Sequence, residues 1–237
     1  MADSIDYKAL YLQAEEEKRQ EAELRRRAEQ GIQRTTFKEL VQHCHNLLSR
    51  PLRAEEPSRS TTGKIPVPTG KYCPLRLEHW TDCSARQRAV YDLVRDYLQP
   101  PGEDAPRLFS PLIALEDYGR RIAHRPISSE QDLETYERIA VEDHVQGIIS
   151  ELCKISDARD KFRLGDGIRF DNRRNALDEV EGDESRPPRP DQYCIPRVDD
   201  STNSLLTTVE YKPPHKLPVE TLRVGLQPID FHREIVE

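Results

Sequence analysis

Two strand-patterned segments joined by a six-residue turn segment constrain this chain more than anything else in it. Residues 190–212 read PDQYCIPRVDDSTNSLLTTVEYK. Gln192 to Arg197 reads as one strand and Ser204 to Lys212 as the next. VDDSTN between them gathers Asp, Ser and Asn, whose short polar side chains close turns. The expected local structure is an antiparallel hairpin. Residues two apart on a strand share a face, so Glu210 and Lys212 point the same way and Tyr211 points opposite. The hairpin returns Glu210 to the neighbourhood of Asp191. Two carboxylates then converge at one end, a hard-oxygen pocket suited to Mg²⁺ or Mn²⁺. A lysine beside them can orient or activate a water, or stabilise a pentavalent phosphate. Metal and lysine together supply what phosphodiester cleavage needs, a nucleophile at neutral pH and charge stabilisation. The plain alternative is a surface hairpin with ordinary charges.

The most convincing helix lies upstream, in SSEQDLETYERIAVEDHVQGIISELCKI, residues 128–155. Val141, Val145, Ile148, Ile149 and Leu152 repeat at helical spacing and make its buried face. Glu142 falls on the same stripe, at i, i+3, i+7 and i+10 with Val145, Ile149 and Leu152. A carboxylate turned toward a core is normally paired, protonated or bound to a cation. The segment GIRFDN (167–172) is a short strand, the acidic and proline-rich 176–190 a loop, and VETLRVGL (219–226) a short amphipathic helix.

Toward the N-terminus, residues 5–34 read as a long polar helix with a thin apolar stripe, either a weak coiled coil or a solvated helix, with weak self-association favoured. Thr36 and Glu39 form a capping box for a second helix, Phe37 to Leu48, ended by Pro51. Residues 50–74 are rich in Pro, Ser, Thr and Gly and read as a linker. Ser84 is placed as the cap of a helix over 85–98, with Trp80 packed on it and a loop following. The expected layout is a helical, coiled-coil-like segment over 1–50, a flexible linker over 51–75, and one α+β domain over 76–237.

With 33% charged and 35% hydrophobic residues, the chain is more polar than the usual globular figure of about 45–50% apolar, so only part of it has a packed core. A net charge of −7 argues against coating nucleic acid by bulk charge, though not against approach through a local groove. Five scattered cysteines with neither a CxxC pair nor a secretion signal read as reduced thiols in the cytoplasm or nucleus, not the secreted pathway. No apolar run is long enough to span a bilayer. Nothing reads bases, such as a zinc finger or a helix-turn-helix.

Pro190-Asp191, eighteen residues, then Glu210-Tyr211-Lys212, set behind a helix that carries an acid, resembles the PD-(D/E)xK nuclease superfamily. The stretch from Pro190 to Leu226 is also similar to the nuclease-like segment of fungal spore-killer meiotic-drive proteins, which combine an N-terminal coiled coil, a nuclease-like domain and a kinase-like domain. The resemblance covers roughly residues 130–237. It implies a restriction-endonuclease-like core of helix, three-stranded meander and helix, with extra helices around it. It further implies that Asp191 and Glu210 hold Mg²⁺ or Mn²⁺, that Lys212 is the catalytic lysine, and that Glu142 completes the metal set, with Glu137 and Asp143 as rivals for that place. The implied activity is metal-dependent hydrolysis of nucleic acid, DNA before RNA. The alternative is a non-catalytic, nuclease-derived interaction or regulatory protein. The superfamily's further strand and the kinase-like domain have no counterpart in the sequence, which reads as a shortened relative.

Overall fold

A computed structural model describes residues 7–60, 76–77, 80–102, 104–172, 191–198, 202–203, 205–215, 220, 223 and 229–230. The fold is α+β: helices packed around a single apolar core, with a small antiparallel sheet. The first helix, α1 (Tyr7–Ile32), is almost wholly exposed and meets the rest of the chain near its C-terminal end, where Gly31 approaches Ile113. Its charges pair along its own surface, as in Glu23–Arg27 at 2.9 Å and Arg25–Glu29 at 3.0 Å. Such exposed pairs contribute only a few tenths of a kcal/mol each; the helix is held by propensity more than by packing.

The core begins with α2 (Phe37–His43). The expected capping box is present, with the Thr36 hydroxyl accepting from the Glu39 amide and the Glu39 carboxylate accepting from the Thr36 amide at 2.9 Å. Glu39 also receives two hydrogen bonds from Arg107, at 3.1 Å each, which ties the start of the helix to a segment 68 residues later. A π-helical turn, Cys44–Ser49, continues α2. Phe37, Leu40 and Leu48 from this region are buried in one cluster with Leu98, Phe109, Leu115, Ala140, Leu152 and Ala158. The boundary expected at residue 50 therefore falls inside the core. The chain after Leu52 stays on that core as well: Arg53 and Glu55 exchange backbone hydrogen bonds of 2.8 and 2.9 Å with Ile127. The remainder of the expected linker, 61–75, lies outside the described residues.

Helix α3 (Cys83–Leu98) follows. Its N-cap is Asp82, two residues before Ser84, and the Asp82 carboxylate takes the Arg86 guanidinium at 2.6 Å instead of capping a backbone amide. Trp80 is 60% exposed and does not pack as expected. The expected loop after α3 contains a further helix, α4 (Leu112–Ala123), and the long helix read over 128–155 is three pieces: α5 (Glu130–Glu137), a π turn (Arg138–Glu142) and α6 (Asp143–Cys153). The π turn takes in an extra residue relative to an α turn and shifts the phase of what precedes it. Val141 is exposed in consequence, while Leu152 keeps its buried place. Short α7 (Ser156–Phe162) closes with Arg163 in the left-handed region, φ 54°.

The sheet is a three-stranded antiparallel meander. Strand β2 (Gly167–Asp171) pairs with β3 (Gln192–Val198), and β3 pairs on its other side with a returning strand in two pieces, β4 (Thr202–Asn203) and β5 (Thr207–Val209). Gln192, Tyr193, Cys194 and Ile195 are all buried, as befits a central strand covered on both faces. A separate two-residue pairing joins β1 (Arg76–Leu77) to β6 (Ile229–Asp230). Of the helix expected over 219–226, only Glu220 and Arg223 lie among the described residues, and both are helical.

Candidate functional site

The returning strand is not continuous in register. Arg197 faces Asn203, whereas Cys194 faces Thr207, so one extra residue sits on the returning strand between Asn203 and Thr207, with the Leu206 amide donating to the Cys194 carbonyl at 3.0 Å. This is a β-bulge. Its consequence is large, because a slip of one residue turns every side chain beyond it to the other face. In the register of β4, Asp191 would stand opposite Val209. In the register of β5, where Gln192 faces Val209, the next pair outward is Asp191 with Glu210. Continued one step, that register puts Asp191 and Glu210 on one face and Gln192, Val209 and Tyr211 on the other.

At that strand end the Asp191 carboxylate accepts a hydrogen bond from the Tyr211 amide at 2.6 Å through Oδ2. Lys212 Nζ donates to Glu210 Oε1 at 2.7 Å, and Glu130, the first residue of α5, lies 3.8 Å away. Burial pulls the Lys212 amine down, but the Glu210 hydrogen bond and the charges of Glu210, Glu130 and Asp191 outweigh it and hold the amine above its ordinary value. Lys212 is a stable ammonium ringed by acids. Lys212 thus pairs with Glu210 and lies in the field of Asp191 and of Glu130, an acid the pattern did not flag.

Glu142 belongs to a different group. It is 6% exposed; Oε1 accepts from the Tyr211 hydroxyl at 2.7 Å and Oε2 accepts from Gln192 Nε2 at 2.8 Å, while the same hydroxyl lies 3.1 Å from Gln192 Oε1. No hydrogen bond or ion pair joins Glu142 to Asp191, Glu210 or Lys212. Burial pushes its carboxyl above the ordinary range, opposed by the hydrogen bonds from Tyr211 and Gln192. Burial first, and the hydrogen bond to Glu142 second, push the Tyr211 phenol well up. Of the two rivals for its place, Glu137 is also raised by burial and by the charge of Glu142, and Asp143 is exposed. Glu142 and Gln192 line a polar pocket of about 470 Å³ together with Arg138, Asp143, Gln146 and Asp171. The more apolar cavity, about 490 Å³ beside Leu52, Ile122, Ile127 and Ile139, includes none of the four expected site residues.

Among the described residues no group of three or more His, Cys, Asp and Glu side chains is arranged to hold a metal. Two carboxylates with free oxygens suit a small hard ion such as Mg²⁺, which keeps several waters and takes one or two protein carboxylates beside substrate phosphates. Among the described residues, no helix is long and apolar enough to cross a membrane.

Residues 36–192 match the Spore killer 2 N-terminal domain family. The chain is also similar to a curated relative, Meiotic driver SPOK2 of Podospora anserina, at 34% identity over 125 residues, which is 52% of this chain and 15% of that protein. The match thus spans about a seventh of the relative's length. No solved structure matches.

Proposed function

Because the chain belongs to the Spore killer 2 N-terminal domain family, we propose that it is the nuclease-like module of a meiotic-drive-type protein, hydrolysing phosphodiesters of nucleic acid, DNA before RNA, at the Asp191–Glu210–Lys212 strand end. One observation carries the reading: beyond the Gln192–Val209 pair that ends β5, the Tyr211 amide holds the Asp191 carboxylate at 2.6 Å and Lys212 sits 2.7 Å from Glu210 as an ammonium. Asp191 and Glu210 would hold Mg²⁺ or Mn²⁺, and a bound cation supplies an acidified water and charge neutralisation at the phosphate. Lys212, kept protonated by its acids, acts as a charge stabiliser for the developing phosphorane, not as a proton acceptor. The Tyr211 amide orients the Asp191 carboxylate. Glu142 enters as a positioning residue, since its hydrogen bond to Tyr211 fixes the chain between Glu210 and Lys212.

The Lys212–Glu210 ion pair also favours a second reading. A lysine already neutralised by its neighbour, with the third acid engaged elsewhere, fits a nuclease-derived interaction module that no longer cuts. The full chain decides between them. Nuclease activity predicts a melting shift with Mn²⁺ or Mg²⁺ by mass action, lost in Asp191→Ala and kept in Lys212→Ala, with cleavage of single- or double-stranded DNA or of RNA lost in both. A folded wild-type chain showing neither shift nor cleavage establishes the interaction module.

A further inference from the structure

Positions 7, 11, 14, 18, 21, 25, 28 and 32 of α1 recur at alternating steps of four and three, the spacing of a two-stranded seam. They carry Tyr7, Tyr11, Ala14, Lys18, Glu21, Arg25, Ala28 and Ile32. Tyr7, Tyr11 and Ile32 are 76%, 61% and 66% exposed, large apolar side chains left uncovered by the rest of the chain. The charges around the seam are mostly paired within the helix, as Glu16–Arg19 at 2.7 Å, Glu23–Arg27 at 2.9 Å and Arg25–Glu29 at 3.0 Å. Lys18 and Glu21, the two charges at the middle of the seam, enter no ion pair among the described residues.

We infer that α1 pairs antiparallel with α1 of a second copy of this chain, with Lys18 of each helix against Glu21 of the other. Charge complementarity selects both the occupant and its direction. Two copies side by side in parallel register stack Lys18 on Lys18, Glu21 on Glu21 and Arg25 on Arg25, three like-charge layers in succession. Reversing one copy converts them to Lys18 with Glu21 twice, and Arg25 with Ala14. The apolar residues fall into place in the same register, Tyr7 against Ile32 and Tyr11 against Ala28 at each end. Arg25 arrives already neutralised by Glu29 of its own helix. The seam is apolar at both ends and polar at the centre, a pattern that trades stability for a defined register and orientation.

Sedimentation of the full chain over a range of concentrations tests this, with far-UV circular dichroism to show that each variant keeps its helix. Lys18→Glu sets two acids against each other at both central layers and should weaken the dimer by at least about fivefold, from like-charge costs of a few tenths of a kcal/mol per contact replacing attractions of similar size. Lys18→Glu combined with Glu21→Lys restores opposite charges only in the antiparallel arrangement and should return the affinity to within about twofold of wild type. A wild-type chain that stays monomeric throughout overturns the inference. So does a single variant as strong as wild type, which is the parallel result, or a double variant as weak as the single.

Discussion

Replacing Tyr211 with Phe removes one oxygen from a group that is otherwise closed to water. The ring is 4% exposed and its packing is unchanged by the substitution; what goes is the donor 2.7 Å from Glu142 Oε1. A hydrogen bond to a charged partner contributes about 1.5–3 kcal/mol. For a chain of this size each kcal/mol moves the melting temperature by roughly 2–4 °C. Tyr211→Phe should therefore melt about 3–12 °C lower at neutral pH. The pH dependence is the sharper readout. Burial holds the folded-state Glu142 carboxyl above its ordinary 4.5, so the folded chain takes up this proton before the unfolded chain does. The stabilisation it gives is fully present below 4.5 and is lost as pH rises through the raised folded value. The Tyr211 hydroxyl stabilises the charged form and partly restores what is lost. Its removal raises the carboxyl further, so the destabilisation of Tyr211→Phe is greatest at neutral pH and shrinks as pH falls toward 4.5. Urea unfolding of both chains across that interval, followed by Trp80 fluorescence and circular dichroism, reads the difference directly. A difference that is flat with pH, or below about 0.5 kcal/mol throughout, refutes the buried-carboxylate account.

Gly119 lies mid-helix in α4, where a Cβ would stand 2.6 Å from the Leu47 carbonyl oxygen. Gly119→Ala should cost about 1–3 kcal/mol by overpacking, read from the urea midpoint, despite alanine's helix advantage of about 1 kcal/mol. Leu40 is 1% exposed in the shared core, so Leu40→Ala should cost about 2–5 kcal/mol, whereas deleting residues 1–32 should leave the melting temperature within a few degrees; an unchanged urea midpoint in Leu40→Ala would refute the shared core, and a large loss on deletion would place α1 in it. His144 Nε2 is buried without a hydrogen-bond partner among the described residues, and burial, opposed by the Asp143 charge, holds the ring below its ordinary 6.5. The unfolded chain therefore binds that proton first, the stability of neutral His144 is lost as pH falls below 6.5, and the wild type should lose ground to His144→Leu over that interval in paired unfolding curves.

What could be read from the sequence depended on whether the pattern obeyed one period. The capping box at Thr36 and Glu39, the short strand after Gly167, and the opposite orientations of Tyr211 and Lys212 follow from local spacing, and the structure has all three. Helix α4 did not announce itself, because a glycine inside a helical run reads as a breaker. At Gly119 the missing side chain is a packing requirement set by Leu47, some seventy residues earlier in the chain. The π turn over Arg138–Glu142 escaped for a related reason: a period of 3.6 was carried through a segment that does not keep it, which exposed Val141 where burial was expected.

The strand end illustrates the same point with more at stake. Simple alternation along an unbroken hairpin, continued from the Arg197–Asn203 pair, would have set Asp191 opposite Val209 and sent Glu210 and Lys212 to the Glu142 face. Their convergence with Asp191 rests on the single extra residue between Asn203 and Thr207, in a stretch where Leu205 and Leu206 are both exposed and give no periodic signal. The same residue also sends Tyr211 inward to Glu142 and so separates the third expected acid from Asp191, Glu210 and Lys212. A bulge that re-aims side chains beside a cluster of charges has a mechanical use. It lets Tyr211 anchor one face of the returning strand in the interior while its own amide holds Asp191 on the other. Position and charge at the strand end are thereby tied to a buried carboxylate that never reaches it.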